Sequence, residues 1–376
     1  MERRIIGVDV SKDYIITYDG KEFKRFDLSQ IDKFVDFVHS GDVVVMEQTG
    51  NYSLPWLFNL LSKKTVEVYI AHTTALRRFR DLKGVSKNDA IDSLLLREMF
   101  ISGNREAFQK FEINRFWLRF YFFNYRRSVK DFSITVNRLR NFLMLYRPDL
   151  SNFKTSKKGL EELKKQFEKR REVDYVAGYV YRLAEKLLLT LEDRKNFERE
   201  VHKRVVLHKD YELLKTFPHF SDLVIAGLVA TYWDIERFKS SRTKTIRGGK
   251  VVSVKVKAVD KFRAYLIGST KRWQSGKMDK QKKTQKRPYI LGLLYTVYIQ
   301  AGKKSSPLYP LWNHIREKYN LLSGYQRYYK FLGHILGLVY LAVKNRWTFK
   351  EVIEHKVKSL DGELKEVYNQ ILERVG

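Results

Sequence analysis

Two apolar stretches near the start of the chain each end on an acid, and this limits the folds open to it. Residues 3–10 are rich in β-branched side chains and place Asp9 inside an otherwise apolar strand. Gly41-Asp42 opens the continuous apolar run Val43 to Met46, which Glu47 closes. A run without alternation is the pattern of a parallel strand covered on both faces. A carboxylate at the end of such a strand is costly to bury unless it is paired or bound to a cation. Asp89 and Asp92 add a third element, since they stand at i and i+3 at the start of a helical segment and share its face. Three elements thus aim four acids at one end of a sheet, where α/β folds bind their ligands. Hard oxygen donors suit magnesium, with manganese as a substitute, and phosphate chemistry. A pair of such ions stabilises both the attacking and the leaving oxygen of an in-line displacement. Taken singly, each acid has an ordinary explanation. Asp89 is a normal helix N-terminal residue favoured by the macrodipole, Glu47 is a strand-end surface residue, and Asp13 and Asp19 are expected to be exposed. The set, at matching topological positions, carries the expectation.

The elements around these acids can be read in order. Strands are expected at 3–10, 14–18 and 21–27, with Asp19-Gly20 as a hairpin turn. A helix follows over 30–39, capped by Ser29, with Ile31, Phe34, Val35 and Val38 on one face. Strand 43–47, helix 53–63, strand 66–71 and helical segments near 73–80 and 87–103 complete the order β-β-β-α-β-α-β-α. That order is the one of the ribonuclease H fold, and the crossovers suit a parallel pair. Residues 1–104 are therefore expected to form an α/β ribonuclease-H-like domain.

From 105 to 210 proline and glycine become scarce, and apolar and charged residues recur at helical spacing. Segments near 107–146, ending before Pro148, and 158–207, passing Gly178, predict a long helical hairpin. Periodicity leaves open whether this is a coiled-coil oligomerisation arm or a plain helical bundle. Residues 211–376 are expected to be mostly helical, with two short helices around Phe217-Pro218-His219-Phe220. A β-hairpin over 246–256 turns at Gly248-Gly249, and residues 274–287 read as a polar loop. Helices near 289–301, 308–319, 325–345 and 349–374 close the chain.

Charge divides the chain as well. The formal net charge is +30, yet residues 1–100 hold 15 Lys+Arg and 15 Asp+Glu. All the excess lies beyond them. Residues 237–287 alone carry 18 basic and 2 acidic side chains. Such density repels itself unless a polyanion neutralises it, and contact with phosphates releases counterions. Arg247, Lys250, Lys271, Arg272, Lys277, Lys280, Lys282, Lys283, Lys286 and Arg287 are the candidate nucleic-acid contacts, and the 23 Tyr and 24 Phe add possible stacking surfaces for unpaired bases. The chain has no cysteine, which excludes disulfides, thiolate zinc and a cysteine nucleophile and fits a reducing cytoplasm. No apolar run is long enough for a membrane span. The short apolar stretch at the N-terminus is interrupted by Asp9 and is not expected to be a targeting signal.

GVDVSK (7–12), EQTGNY (47–52) and KNDAIDS (87–93) resemble the Asp-Glu-Asp-Asp signature of the insertion-sequence "one-ten" transposases, a family that includes the pilin-gene inverting recombinases. The similarity continues through RNFLMLYRPD (140–149), LLKTFPHFSDLVIAGLVATYWDIERF (213–238), Gln274-Ser275-Gly276 and ILGLLYTVYIQA (290–301). The resemblance implies a RuvC-like N-terminal domain whose Asp9, Glu47, Asp89 and Asp92 bind magnesium, and a C-terminal transposase domain in which Ser275 is the nucleophile. It implies strand exchange through a covalent 5′-phosphoserine intermediate and homodimers assembling into a tetramer with composite active sites. It also implies a structured noncoding bridge RNA pairing with donor and target DNA, with the protein nucleoid-associated when bound. The basic residues Lys271, Arg272, Lys277 and Lys280 would then hold the phosphate, and Gly276 would allow close backbone approach. The chain departs from the family at His219, where glycine is usual, and at His72, Ser93 and Gly333-His334. The hairpin at 241–258 has the look of an insertion.

Two other readings stand beside this one. A metal-dependent RuvC-like nuclease or Holliday-junction resolvase would need the acids but not Ser275. A non-catalytic nucleic-acid-binding protein would need neither.

Overall fold

The computed structural model describes residues 3–47, 52–104, 107–232, 234–247, 250–267, 270–275, 278–283 and 288–376; through most of 243–254 and 270–289 it is the backbone that is described. The chain forms two compact units, residues 1–113 and 114–376.

The first unit is built on strands β1 (Ile5–Val10), β2 (Tyr14–Tyr18), β3 (Phe23–Asp27), β4 (Val43–Glu47), β5 (Glu67–Ala71) and β6 (Phe108–Lys110). Between them lie helices α1 (Ile31–Phe37), α2 (Leu54–Lys63), α3 (Thr73–Lys83) and α4 (Asp89–Ile101). The sheet order is β3-β2-β1-β4-β5-β6. β1 pairs antiparallel with β2 and parallel with β4, and β4 pairs parallel with β5. A mixed sheet in this order is compatible with a ribonuclease-H-like α/β domain. Its two faces explain the unbroken apolar run of β4. Val44 and Met46 join one core with Phe34, Trp56, Leu57 and Leu60, while Val43 and Val45 join another with Leu76, Leu95, Leu96 and Met99.

Several expectations need correction here. Ser29 does not cap the first helix. Asp27 and Gln30 form a reciprocal capping box around a short 3-10 turn, and α1 begins only at Ile31. Asp19 is not exposed, because the backbone N–H groups of Lys21 and Glu22 donate to it at 3.0 and 3.2 Å and Arg4 lies 3.5 Å away. The stretch after residue 107 opens with the edge strand β6 and not with a helix.

The second unit begins with α5 (Ile113–Tyr146), α6 (Lys157–Glu168) and α7 (Tyr175–Val205). The segment expected to run unbroken over 158–207 is interrupted at 169–174. Asp174 starts a fresh helix there by accepting hydrogen bonds from the backbone of Val176 and Ala177. Val136, Leu139 and Leu143 of α5 pack with Leu160 and Leu163 of α6 and with Val180, Ala184 and Leu187 of α7. At the other end Leu118 and Phe122 of α5 share a core with Val201 and Val205 of α7. The two long helices are therefore antiparallel. At 1.5 Å per residue each spans roughly 45–50 Å.

That second core is completed by α8 (Tyr211–Lys215), α9 (Asp222–Tyr232), α10 (Ala258–Ile267), α11 (Pro288–Ala301), α12 (Tyr309–Lys318), α13 (Gly324–Asn345), α14 (Phe349–Ser359) and α15 (Glu363–Val375). The single terminal helix expected over 349–374 is two helices, separated at Gly362, whose φ is +67°. Two hairpins interrupt the helices. The pair β7 (Ser241–Arg247) and β8 (Lys250–Val256) matches expectation, while its turn residues Gly248 and Gly249 lie outside the described residues. The pair β9 (Thr270–Ser275) and β10 (Met278–Lys283) replaces most of the loop expected over 274–287.

Candidate active site

Gly7 sets the geometry of the acidic cluster. A methyl group at Gly7 would lie 1.9 Å from the carbonyl oxygen of Ser93 and 3.1 Å from the amide nitrogen of Arg97. Only a residue without a side chain lets α4 press so closely on β1. Two residues further along β1 comes Asp9, and one residue before Ser93 comes Asp92. The close crossing therefore brings the start of α4 to the end of β1. Asn88 opens the helix by accepting from the backbone of Ala90, which fixes Asp89 and Asp92 in its first turn. Glu47 arrives from β4, the parallel neighbour of β1.

The electrostatics confirm that the four acids share one neighbourhood. Burial raises the Asp9 carboxyl to about 7, helped by the charges of Asp89, Glu47 and Asp92 and by a hydrogen bond to Glu47. Glu47 is raised as well, first by burial and then by Asp92, while Lys87 and Arg80 pull it back. Asp92 is fully buried and Asp9 is 6% exposed.

Each remaining acid is held by a side chain that sequence reasoning did not single out. Arg80 of α3 grips Asp92 with both prongs, Nε to Oδ1 at 2.8 Å and Nη2 to Oδ2 at 2.7 Å. The Tyr14 hydroxyl donates to Asp89 Oδ2 at 2.7 Å, and the Ser11 hydroxyl lies 3.3 Å from the same oxygen. Arg80 was hidden among the bases of LRRFRDLK, and Tyr14 looked like one more strand aromatic. The only available hint was that both lie close in sequence to an acidic motif. With these partners in place, no three acidic or histidine side chains among the described residues converge on one point as a ligand set. The donor chemistry nonetheless suits a hard divalent cation, being all oxygen and carrying more negative charge than Arg80 offsets.

The other expected site residues lie in the second unit. Ser275 ends β9, where its register partner is Met278. Lys271 stands opposite Lys282, Arg272 opposite Gln281, Lys280 opposite Trp273, and Lys283 opposite Thr270. Arg247 and Lys250 face each other across the other hairpin. Gly276, Lys277, Lys286 and Arg287 lie outside the described residues, as do residues 48–51 of the EQTGNY motif. His219, the departure from glycine, keeps the left-handed backbone with φ +65°, and its Nε2 is 2.7 Å from the Ser306 hydroxyl.

Comparison with known families supplies the remaining observation. Residues 6–148 match the DEDD transposases of the IS110 type, described as transposase. This region is similar to the DEDD transposase family over a little more than a third of the chain. The match runs from the second residue of β1 through β6 and all of α5, and so spans Asp9, Glu47, Asp89 and Asp92. No curated protein matches the chain. No described helix is long and apolar enough to cross a membrane.

Proposed function

We propose that this protein is a transposase that cuts DNA through a covalent 5′-phosphoserine intermediate on Ser275, with magnesium held by Asp9, Glu47, Asp89 and Asp92. The observation that carries the proposal is that Glu47, Asp89 and Asp92, from β4 and α4, lie near enough for their charges to act on the buried Asp9 of β1. Such a cluster is unfavourable by itself, and a divalent cation relieves it. The bound ion would polarise the phosphate and favour ionisation of the attacking hydroxyl. The chain's own groups have separate tasks. Gly7 holds α4 against β1 so that the acids keep their spacing, and Tyr14 and Ser11 orient Asp89.

In the cleavage step the Ser275 hydroxyl oxygen bonds to phosphorus and gives up its proton. The bond from phosphorus to the 3′ oxygen breaks, and that oxygen leaves as a protonated hydroxyl. Rejoining reverses this, with the 3′ hydroxyl of another strand displacing the serine. The bases on β9 and β10 supply positive charge along the same segment as Ser275. Homodimers pairing into a tetramer would let the acids of one subunit work with the serine of another. A structured noncoding guide RNA, paired with donor and target DNA, would supply the sequence choice that a basic surface reading backbone cannot.

Trapping tests this directly. Incubation with magnesium and nicked donor DNA is expected to yield a nucleotide-modified peptide containing Ser275, and Ser275→Ala is expected to lose both adduct and cleavage. Cleavage by Ser275→Ala at the wild-type rate would favour a metal-only nuclease or junction resolvase instead.

A further inference from the structure

Arg80 is the cation that the structure pairs with the acidic cluster at Asp92. Its guanidinium takes one lone pair from each oxygen of Asp92, the most deeply buried acid of the cluster. Its side chain is 13% exposed, against 0% for Asp92. The charge of Arg80 also reaches Glu47. The other bases of α3 do not share this task among the contacts described, and Lys83 is turned instead to Glu98, at 3.3 Å. A forked guanidinium on a carboxylate is the strongest side-chain pairing available to an acid in such a setting. A buried acid held this way offers its oxygens to an incoming ion only by sharing or losing that partner.

We infer that Arg80 is an internal counter-ion that competes with the divalent cation for Asp92, so that ion binding at the acidic cluster is set by how readily Arg80 lets go. The inference rests on the metal reading proposed above. It goes beyond that reading by assigning a positioning role to a residue outside the four acids. It also accounts for an arrangement in which the acids are neighbours but do not already converge as a ligand set. A plain structural tie between α3 and α4 would make Arg80 matter for stability. It would not make the effect of Arg80 on ion affinity depend on Asp92.

The test is a double-mutant cycle on the full chain, read by the free Mn2+ signal in electron paramagnetic resonance, without DNA and at fixed salt. Thermal melts alongside show that each variant is folded. Arg80→Gln, which keeps one hydrogen bond to Asp92 without the charge, stands in if Arg80→Ala does not fold. Arg80→Lys keeps the charge and loses the fork. Wild type is expected to bind Mn2+ and Asp9→Asn to lose that binding. Arg80→Ala or Arg80→Gln should bind about fivefold or more tighter than wild type, with Arg80→Lys in between. In an Asp92→Asn background the gain should vanish, because Arg80 then has no carboxylate to withhold.

An unchanged or weaker affinity in the Arg80 variants would overturn the inference and leave the metal reading standing. So would an equal gain in the Asp92→Asn background, which would be a field effect alone. A wild type with no Mn2+ binding sensitive to Asp9→Asn would contradict the metal reading, and this inference with it.

Discussion

A carboxyl lifted to about 7 by burial and three neighbouring acids marks a place where function outweighs stability. A titratable group buried elsewhere is treated differently. His208 in the second unit is the clearest case. Its side chain is 8% exposed, and the backbone N–H of Asp210 donates to Nδ1 at 3.2 Å. That bond needs a lone pair on Nδ1 and so favours the neutral ring. Burial lowers the imidazole from 6.5 to about 4; Arg115, Lys209 and Arg346 add to this, and Asp210 opposes it. As the pH falls below 6.5 the unfolded chain takes up a proton that the folded chain refuses, so folding weakens until about pH 4. The loss from this residue is of order 1–3 kcal/mol. Denaturant titrations at pH 7.5 and 4.5 are expected to show it, and His208→Gln to reduce the difference. At this scale the four acids were legible because a charge inside an apolar strand needs a reason. Their holders were not, since Arg80 and Tyr14 come from other elements and only tertiary structure joins them to Asp92 and Asp89.

At the scale of elements, the crossing of α4 over β1 decides whether the acids meet. Gly7 permits a Cβ-to-carbonyl gap that no side chain could occupy. Gly7→Ala is therefore expected to push α4 outward, at a cost of roughly 1–3 kcal/mol or more. It should also weaken Mn2+ binding although no acid is altered. A melting curve beside a Mn2+ titration checks both, and a variant with wild-type values would show that the crossing does not position the site. The strands and helices of the first unit were readable because hydrophobic period and parallel-strand runs are local signals. Where the reading failed, the deciding contact was either short or subtle. The break at 169–174 rests on Asp174 as a cap, in a stretch whose charged residues suit a continuing helix equally well. The β9–β10 hairpin carries Lys and Gln in place of the β-branched residues that announce a strand.

For the whole molecule, charge is the property that bears on partners. The net +30 and the neutral balance of residues 1–100 place the electrostatic attraction for nucleic acid in the second unit. A chain gripping phosphates mainly by Lys and Arg should lose affinity for DNA or RNA steeply with salt. Six to ten contacts correspond to about a 10³- to 10⁵-fold fall between roughly 50 and 200 mM. Filter-binding or polarisation titrations at several salt concentrations check this. Replacing Lys271, Arg272, Lys280, Lys282 and Lys283 by Gln should flatten the slope and leave Mn2+ binding by the first unit unchanged.

Asp9, Glu47, Asp89 and Asp92 are proposed to form a metal-dependent centre for DNA strand cleavage. Its most direct test is the single-turnover cleavage rate of Asp9→Asn beside wild type, on DNA flanking its gene, with co-purified RNA and saturating magnesium. Asparagine keeps the size of the side chain and removes the charge that holds the ion. A fall of at least about 10³-fold is expected, with chelator doing the same to wild type. A rate within about twofold of wild type, or one indifferent to chelation, would contradict it.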